Sequence, residues 1–242
     1  MIFGLLKNTF RSHFQPFAVT SSFVGGINDR QGMDISLMRG IEKALRDPLP
    51  GHKAHMEMAV VGHHRKAKAP EEANKAGVLA LFIPDKNGHT ELVFIRRSSH
   101  YHDDRHKGQI GFPGGKKEQE DSDMRETALR ETKEEVGVDP AEVEVLGKLS
   151  NLYIPVSNFL VHPYVGYMRT RPKFSLQVTE IAEVITCNYK RFLNDDFRKT
   201  TKMKLTCDIH LENVPYFDLK GKILWGATAM MMAELVHLLK RV

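Results

Sequence analysis

Cysteine is scarce in this sequence, and several features that define special protein classes are missing. The 242 residues include two cysteines, Cys187 and Cys207, which form neither a CxxC pair nor a disulfide framework. We therefore expect both to be reduced, buried and inert. No run of roughly 18 apolar residues occurs, so no membrane-spanning helix is predicted. The 18 glycines and 11 prolines are too few for a collagen-like or low-complexity chain, and the 41% of hydrophobic residues indicate a globular protein.

The net charge of the chain is small. The 35 basic and 30 acidic residues leave a formal net charge of +5 when the histidines are neutral. This excess suits an anionic ligand, but it does not by itself predict nucleic-acid binding. We expect a small molecule as partner, and neither nucleic acid nor a membrane.

The first 32 residues differ in composition from the rest of the chain. Residues 1–28 contain no Asp or Glu, and Lys7 and Arg11 are their only Lys or Arg side chains. This composition predicts a disordered extension at residues 1–32, which could result from an upstream start codon. A mitochondrial transit peptide is the alternative. The matching locations are the cytoplasm and, for a transit peptide, the mitochondrion.

Hydrophobic periodicity predicts one α/β domain over residues 33–242, with strands and helices in mixed order. Residues 51–74 have no clear period and predict a long surface loop. Two apolar runs joined at Asn87-Gly88 predict a β-hairpin. Further strands and a C-terminal helix are expected at residues 143–146, 159–168, 181–186, 202–210, 222–225 and 227–240.

A strongly charged helix is predicted at about residues 122–136. Asp123 and Glu126 have the spacing of a capping box at its start, and Gly137 stands where a left-handed C-cap belongs. A narrow apolar stripe along this helix indicates that it packs on another element. Its members are Met124, Ala128, Thr132 and Val136.

Three glutamates of this helix share one face, because Glu134 and Glu135 follow Glu131 by three and four residues. They lie in its last turns, where the helix dipole disfavours negative charge, and each like-charge pair costs roughly 0.2–0.5 kcal/mol. A divalent metal would relieve this repulsion, because hard cations bind carboxylate oxygens. The alternative is a solvated acidic face.

The segment from Gly115 to Val138 resembles the Nudix box, in which a glycine and an early glutamate precede the pattern Arg-Glu-x-x-Glu-Glu-x-Gly. The second half of the box is intact from Arg130 onwards. The first half is one residue longer than the family pattern, so the early acid becomes Glu120 or Asp121.

The longer box and a second motif are similar to the coenzyme A pyrophosphatase branch of the Nudix family. That branch carries Leu-Leu-x-x-Arg-Ser, a loop, and then Gly-x-x-x-Phe-Pro-Gly-Gly. The corresponding residues of this chain are 92–98 and 108–115, and residues 153–158 and 225–229 also resemble the branch.

The resemblance implies a Nudix-type α/β/α sandwich with a mixed β-sheet, formed by residues 33–242 with the Nudix box at 115–138. It implies Mg²⁺- or Mn²⁺-dependent hydrolysis of the pyrophosphate bond of coenzyme A or its derivatives. The products would be 3′,5′-ADP and 4′-phosphopantetheine or its acylated form. The expected assembly is a monomer or a homodimer.

The resemblance also implies roles for the box residues. Glu131 and Glu135 are expected to bind the metal, with Glu134 as a third ligand or the general base and the Gly115 carbonyl completing the shell. Arg130 is expected to orient the glutamates, so the expected catalytic set is Glu131, Glu134 and Arg130. The identity of the base stays open, because neighbouring carboxylates titrate together.

Cationic side chains beside the glycine-rich stretch are expected to bind the phosphates of the substrate. They are Arg96, Arg97, Arg105 and His106, and the alternative for each is a solvated surface position. Asn158 either reaches the ligand or only makes a turn.

Two other functions are compatible with this sequence. One is a Nudix hydrolase of ADP-ribose, dinucleoside polyphosphates or damaged nucleotides, because such enzymes share the box. The other is a non-catalytic Nudix-like binding module, which the presence of Glu131, Glu134 and Glu135 disfavours.

Overall fold

The structure is a computed structural model of the chain that describes residues 33–60, 68–98, 108–204 and 210–242. The expected extension at residues 1–32 lies outside these ranges. The α-helices in the described residues are α1 (Ile35–Arg46), α2 (His52–Met56), α3 (Met124–Val136) and α4 (Gly226–Leu239). The strands are β1 (Asn74–Pro84), β2 (Thr90–Arg97), β3 (Ile110–Gly111), β4 (Gly114–Lys116), β5 (Glu144–Lys148), β6 (Leu152–Ile154), β7 (Phe159–Tyr167), β8 (Ile181–Asn188), β9 (Arg198–Lys204), β10 (His210–Leu219) and β11 (Lys222–Trp225).

The main sheet is mixed, as expected. Its central order is β3-β2-β1-β7-β5, while β4 pairs with β1, β6 with β7 and β8 with β2. The long central strands β1 and β7 run parallel over the register Asn74↔Phe159 to Phe82↔Tyr167, and the pairs around them are antiparallel. The predicted hairpin is confirmed, because β1 and β2 pair directly and Gly88 in the turn between them has a φ of 82°.

Helices cover both faces of this sheet, which confirms the α/β/α sandwich. Successive side chains of a strand point to opposite faces, and in β1 both sets are buried. Leu79, Leu81 and Ile83 pack with α3. Ala80 and Phe82 pack on the other face in a cluster that includes α1 and α4. A strand buried on both faces reads as a continuous apolar run, which is the pattern seen in the sequence.

Helix α3 rests directly on the backbone of β1 at Gly77. A Cβ atom at this position would meet the carbonyl oxygen of Met124 and would lie 2.9 Å from the backbone nitrogen of Ala128. Only glycine therefore allows this approach, and the contact determines how closely α3 lies on the sheet.

The prediction of a long surface loop at residues 51–74 is wrong for the first part of this stretch. Residues 52–56 form the short helix α2, and His55 in it is 2% exposed. Its Nε2 lies 3.0 Å from a carboxylate oxygen of the fully buried Glu234 in α4. Glu234 also accepts hydrogen bonds from the Gly51 amide (2.9 Å) and from the amide (3.1 Å) and hydroxyl (2.7 Å) of Ser150. Hydrophobic periodicity did not indicate this helix, because His55 is polar and its burial depends on the distant Glu234 carboxylate.

The single strand predicted at residues 202–210 is wrong, because this stretch contains the end of β9 and the first residue of its antiparallel partner β10, while residues 205–209 lie outside the described ranges. The other predicted strands and the C-terminal helix agree with the structure to within two residues at each end. Cys187 is buried with a free thiol, as expected, whereas Cys207 lies outside the described residues. The C-terminal helix is buried on almost every side rather than along one stripe, because α1, α2 and the smaller sheet β9–β11 also pack against it. None of the helices in the described ranges is long and apolar enough to span a membrane.

Candidate functional site

Local contacts determine where α3 begins and ends. The Asp123 carboxylate accepts a hydrogen bond from the Glu126 amide (2.8 Å), as the capping box predicts. The Glu126 carboxylate, however, bonds the amide and hydroxyl of Ser122 instead of the Asp123 amide. Gly137 ends the helix in the left-handed conformation (φ 73°), which confirms the predicted C-cap. The apolar stripe predicted along the helix is buried throughout.

A segment before β8 fastens the C-terminal end of α3. The Ser175 amide donates to the carbonyl of Val136, and the Gln177 amide donates to the carbonyl of Glu135, each at 3.0 Å. These bonds satisfy carbonyls that a helix end leaves without partners. The backbone that carries Glu135 is therefore held from outside the helix.

Asp121 and Arg130 form a bidentate ion pair at the base of this helix. The Arg130 Nε lies 2.8 Å from one Asp121 oxygen, and a terminal guanidinium nitrogen lies 3.0 Å from the other. Asp121 is 4% exposed and also accepts bonds from the Glu118 amide and the Thr127 hydroxyl. The Arg130 bond holds the pKa of Asp121 well below its usual range. Between the two acids that the lengthened box left open, Asp121 is the one that contacts Arg130, while Glu120 is exposed.

Arg130 brings several acceptors together. Its guanidinium lies 3.0 Å from Glu134 and 3.2 Å from Glu131, and it donates to the Lys116 carbonyl at 3.1 Å. Its bond to Asp121 raises the pKa of the guanidinium, so the group stays charged. These contacts suit the orienting role expected for Arg130, and its part in catalysis stays a prediction.

Glu135 is buried rather than solvated. Its side chain is 2% exposed, and one carboxylate oxygen accepts a hydrogen bond from the Gly114 amide at 2.8 Å. The other oxygen lies 3.5 Å from the Arg97 guanidinium. Burial raises the pKa of Glu135 to about 8, although the Gly114 bond and the Arg97 charge act in the opposite direction. The sequence showed no cation on the helix for Glu135, and the structure supplies one from β2.

Glu131 lies against the second glycine of the pair, Gly115. A Cβ atom at position 115 would fall 2.5–2.6 Å from the carboxylate atoms of Glu131. Burial raises the pKa of Glu131, and the neighbouring charge of Glu134 raises it further. Glu134 itself is 56% exposed and points to Arg130. Two of the three glutamates therefore lie beside the glycine pair, and the third lies on the solvent side.

A divalent cation fits the chemistry of this pair of carboxylates. The charge of Glu131 raises the pKa of Glu135, and a bound cation would remove that repulsion. In the part of the chain that the structure describes, no three acidic, His or Cys side chains are gathered into a metal site. A third ligand would come from Glu134 on leaving Arg130, or from the Gly115 carbonyl, and these ligand assignments stay predictions.

The residues expected to bind substrate lie in different surroundings. Arg96 pairs with Glu183 of β8 at 3.1 Å, and Arg97 contacts Glu135. Asn158 occupies a turn at φ 54° and accepts a bond from the Tyr153 hydroxyl at 2.9 Å, while its contact with the ligand stays a prediction. Arg105 and His106 lie outside the described residues.

Glu180 is a member of this neighbourhood that sequence reasoning missed. Its negative charge raises the pKa of both Glu131 and Glu135. The pairing of β2 with β8 brings it there, and the Ser98 amide donates to the Glu180 carbonyl at 2.6 Å. No local motif surrounds Glu180, so only the strand pairing could have identified it.

The NUDIX domain family model matches residues 73–201, which is just over half of the chain and includes the whole box. The domain limits 33–242 extend beyond this match and stay a prediction.

Individual relatives agree with this match. The chain is 31% identical over 164 residues to the chloroplastic Nudix hydrolase 22 of Arabidopsis thaliana. The match covers 65% of this chain and 53% of the relative, so this chain spans about half the length of that protein. It is 33% identical over 159 residues to the peroxisomal coenzyme A diphosphatase ndx-8 of Caenorhabditis elegans, covering 64% of each. It is 33% identical over 148 residues to an uncharacterized Nudix hydrolase NudL of Pectobacterium atrosepticum, covering 60% of this chain and 72% of NudL. This chain belongs to the Nudix hydrolase family.

Proposed function

We propose that this protein hydrolyses the pyrophosphate bond of coenzyme A or its derivatives with the help of Mg²⁺ or Mn²⁺. The observation that carries the proposal is the convergence of two motifs on one carboxylate. Arg97, from the segment 92–98, and Gly114, from the segment 108–115, both contact Glu135 of the Nudix box. The residues that resemble the coenzyme A branch are thus joined to the glutamates expected to hold metal. The relative ndx-8, which is named a coenzyme A diphosphatase, supports this choice of substrate.

In the proposed reaction, water adds to one phosphorus of the pyrophosphate and the bond to the bridging oxygen breaks. The products are 3′,5′-ADP and 4′-phosphopantetheine or its acylated form. Glu131 and Glu135 would hold the metal, Glu134 would be a third ligand or the base, and Arg130 would keep these carboxylates in place. A bound divalent ion neutralises phosphate charge and lowers the pKa of the attacking water.

Recognition of the 3′-phosphate is assigned to the arginines beside the glycine-rich stretch. Arg96 would exchange its bond to Glu183 for one to the substrate, and a bidentate contact of this kind suits a phosphate. Dephospho-coenzyme A should therefore be hydrolysed less efficiently than coenzyme A.

Location in the cytoplasm is retained as a proposal, although two relatives carry chloroplastic and peroxisomal names.

A substrate panel tests the proposal. It contains coenzyme A, an acyl-coenzyme A, dephospho-coenzyme A, ADP-ribose, NADH and a diadenosine polyphosphate, each with Mg²⁺ or Mn²⁺. The highest kcat/KM should belong to coenzyme A or its acyl form. A clear preference for ADP-ribose or the diadenosine compound would assign another Nudix substrate. Tight binding of any of these without turnover would indicate a binding module.

A further inference from the structure

Three polar side chains lie together on the α3 side of the main sheet, away from the glutamates. His162 lies in β7 opposite Gly77 of β1, Lys75 lies opposite Leu160, and Lys148 of β5 lies opposite Tyr164. Lys75 and Lys148 are therefore diagonal neighbours of His162 on one face, at roughly 7–8 Å, which is within reach of long side chains. We name Lys75, Lys148 and His162 the basic corner.

The donors of the basic corner have no acidic partner. The Nε2 atom of His162 is buried and has no hydrogen-bond partner among the described residues. Lys75 and Lys148 are exposed, and neither forms an ion pair within the described ranges. Because the protein covers Nε2, an anion between the two ammonium groups would meet the imidazole at its other nitrogen, Nδ1, which also forms no hydrogen bond within the described residues.

The surrounding charges favour an anion at this place. Burial lowers the pKa of His162, and the charges of Lys148 and Lys75 lower it further, so both lysines lie close to the imidazole. Asp123, the N-cap residue that precedes α3, is an acid whose charge acts on the neighbouring Tyr164, and its carboxylate already accepts a bond from the Glu126 amide. A neutral imidazole still donates one N–H bond.

The basic corner is separate from the metal-binding glutamates. Gly77 pairs with Gly115 on one side and with His162 on the other, so the two sites are two strand spacings apart, roughly 10 Å. Helix α3 rests on Gly77 between them. We propose that Lys75, Lys148 and His162 form a second anion site, on the opposite flank of α3, that takes a phosphate group.

Phosphate binding without metal tests this site, and its outcome does not depend on the proposed catalysis. Inorganic phosphate is titrated into the protein in chelator, with affinity measured by calorimetry and the His162 imidazole followed by NMR. The His162 signal is assigned from its loss in His162→Gln. Phosphate should move this signal, and the double variant Lys75→Ala/Lys148→Ala should bind phosphate at least tenfold more weakly.

A charge-matched control is Lys43→Ala/Lys86→Ala, because both lysines are exposed and lie elsewhere. It should bind phosphate like the wild type. Equal affinity of the Lys75/Lys148 variant and the wild type, or an unmoved His162 signal, would overturn the proposal. A parallel titration with 3′,5′-ADP, followed through the His162 signal rather than total binding, distinguishes the source: tighter binding than phosphate assigns the site to a nucleotide, and equal binding assigns it to free phosphate.

Discussion

The α-carbon of Gly115 lies against the carboxylate of Glu131, so closely that a methyl group at position 115 would fall 2.5–2.6 Å from the carboxylate carbon and both its oxygens. The glycine therefore has a steric role besides any role of its carbonyl. The Glu131 carboxylate occupies the space that a side chain at position 115 would need.

Replacement of Gly115 by alanine should lower kcat by about 10²-fold, since a displacement near 1 Å of a catalytic group can have this effect. The melting temperature should change little, because Glu131 can move towards solvent. Gly147→Ala is the control, since its added methyl group would meet only a flexible Leu45 side chain at 3.2 Å. Full activity of Gly115→Ala would show that the position of Glu131 is unimportant.

Replacement of Glu135 by glutamine should reduce turnover by about 10²–10⁴-fold, as expected for a positioned catalytic carboxylate. In chelator the variant should be no less stable than the wild type, because glutamine resembles the protonated Glu135 that the raised pKa favours below about pH 8 and, above it, removes a charge that Glu131 repels. Turnover and melting temperature, each with and without Mg²⁺, check both statements. Unchanged turnover by a folded variant would exclude Glu135 from the metal site.

The pH dependence of stability provides a second test of Glu135. Its folded pKa is raised from 4.5 to about 8, so the metal-free native state binds a proton that the unfolded chain releases. Stability in chelator should therefore decrease as pH rises from about 4.5 to 8. Glu135→Gln should lack this component, which urea titrations at several pH values would reveal. The same slope in both proteins would contradict the assigned pKa.

Arg130→Lys should destabilise the protein by about 1–3 kcal/mol, because lysine cannot replace the bidentate bond to the buried Asp121. The kcat should also decrease, since Glu131 and Glu134 lose a shared partner. Urea denaturation and steady-state kinetics measure the two effects. Arg125→Lys, on an exposed position of the same helix, should alter neither, and equal behaviour of the two variants would refute this prediction.

Glu234→Gln should cost about 1–3 kcal/mol of stability, because it disturbs a carboxylate with four hydrogen bonds. Burial disfavours the charged form, but bonds from His55 and Ser150 outweigh it and lower the pKa of Glu234 below 4.5. The stabilisation is therefore present above pH 4.5 and is lost as pH falls through the lowered pKa. Chemical denaturation should show a gap between wild type and variant that narrows on acidification. Glu42→Gln, in an exposed ion pair, is the control and should show no such gap.

Much of the fold could be predicted from periodicity, turns and caps. The apolar run around Leu79 and the Asn87-Gly88 turn indicated β1 and its hairpin because both signals are local. Helix α2 was missed, because the burial of His55 depends on Glu234, which is distant in the sequence. Periodicity does not detect a polar residue that is buried by a remote partner.

The parts of the candidate site that depend on local sequence could be predicted, and the parts that depend on distant strands could not. The glutamate spacing and the glycine pair are sequence features, and the structure brings Glu131 and Glu135 beside Gly114 and Gly115. The burial of Glu135 could not be predicted, because it results from strand β2 and from the segment that holds the end of α3. The position of Glu180 depends in the same way on the pairing of β2 with β8.

The bare backbone contact at Gly77 also limits which sequences this fold can accept. Any larger residue there would lift the first turns of α3 from the sheet and tilt the whole helix. Since Glu131, Glu134 and Glu135 are carried by that helix, all three would move together. A single change in the strand beside Gly115 would then alter every distance between these carboxylates and the glycine pair, so position 77 controls the geometry of the site although it carries no functional side chain.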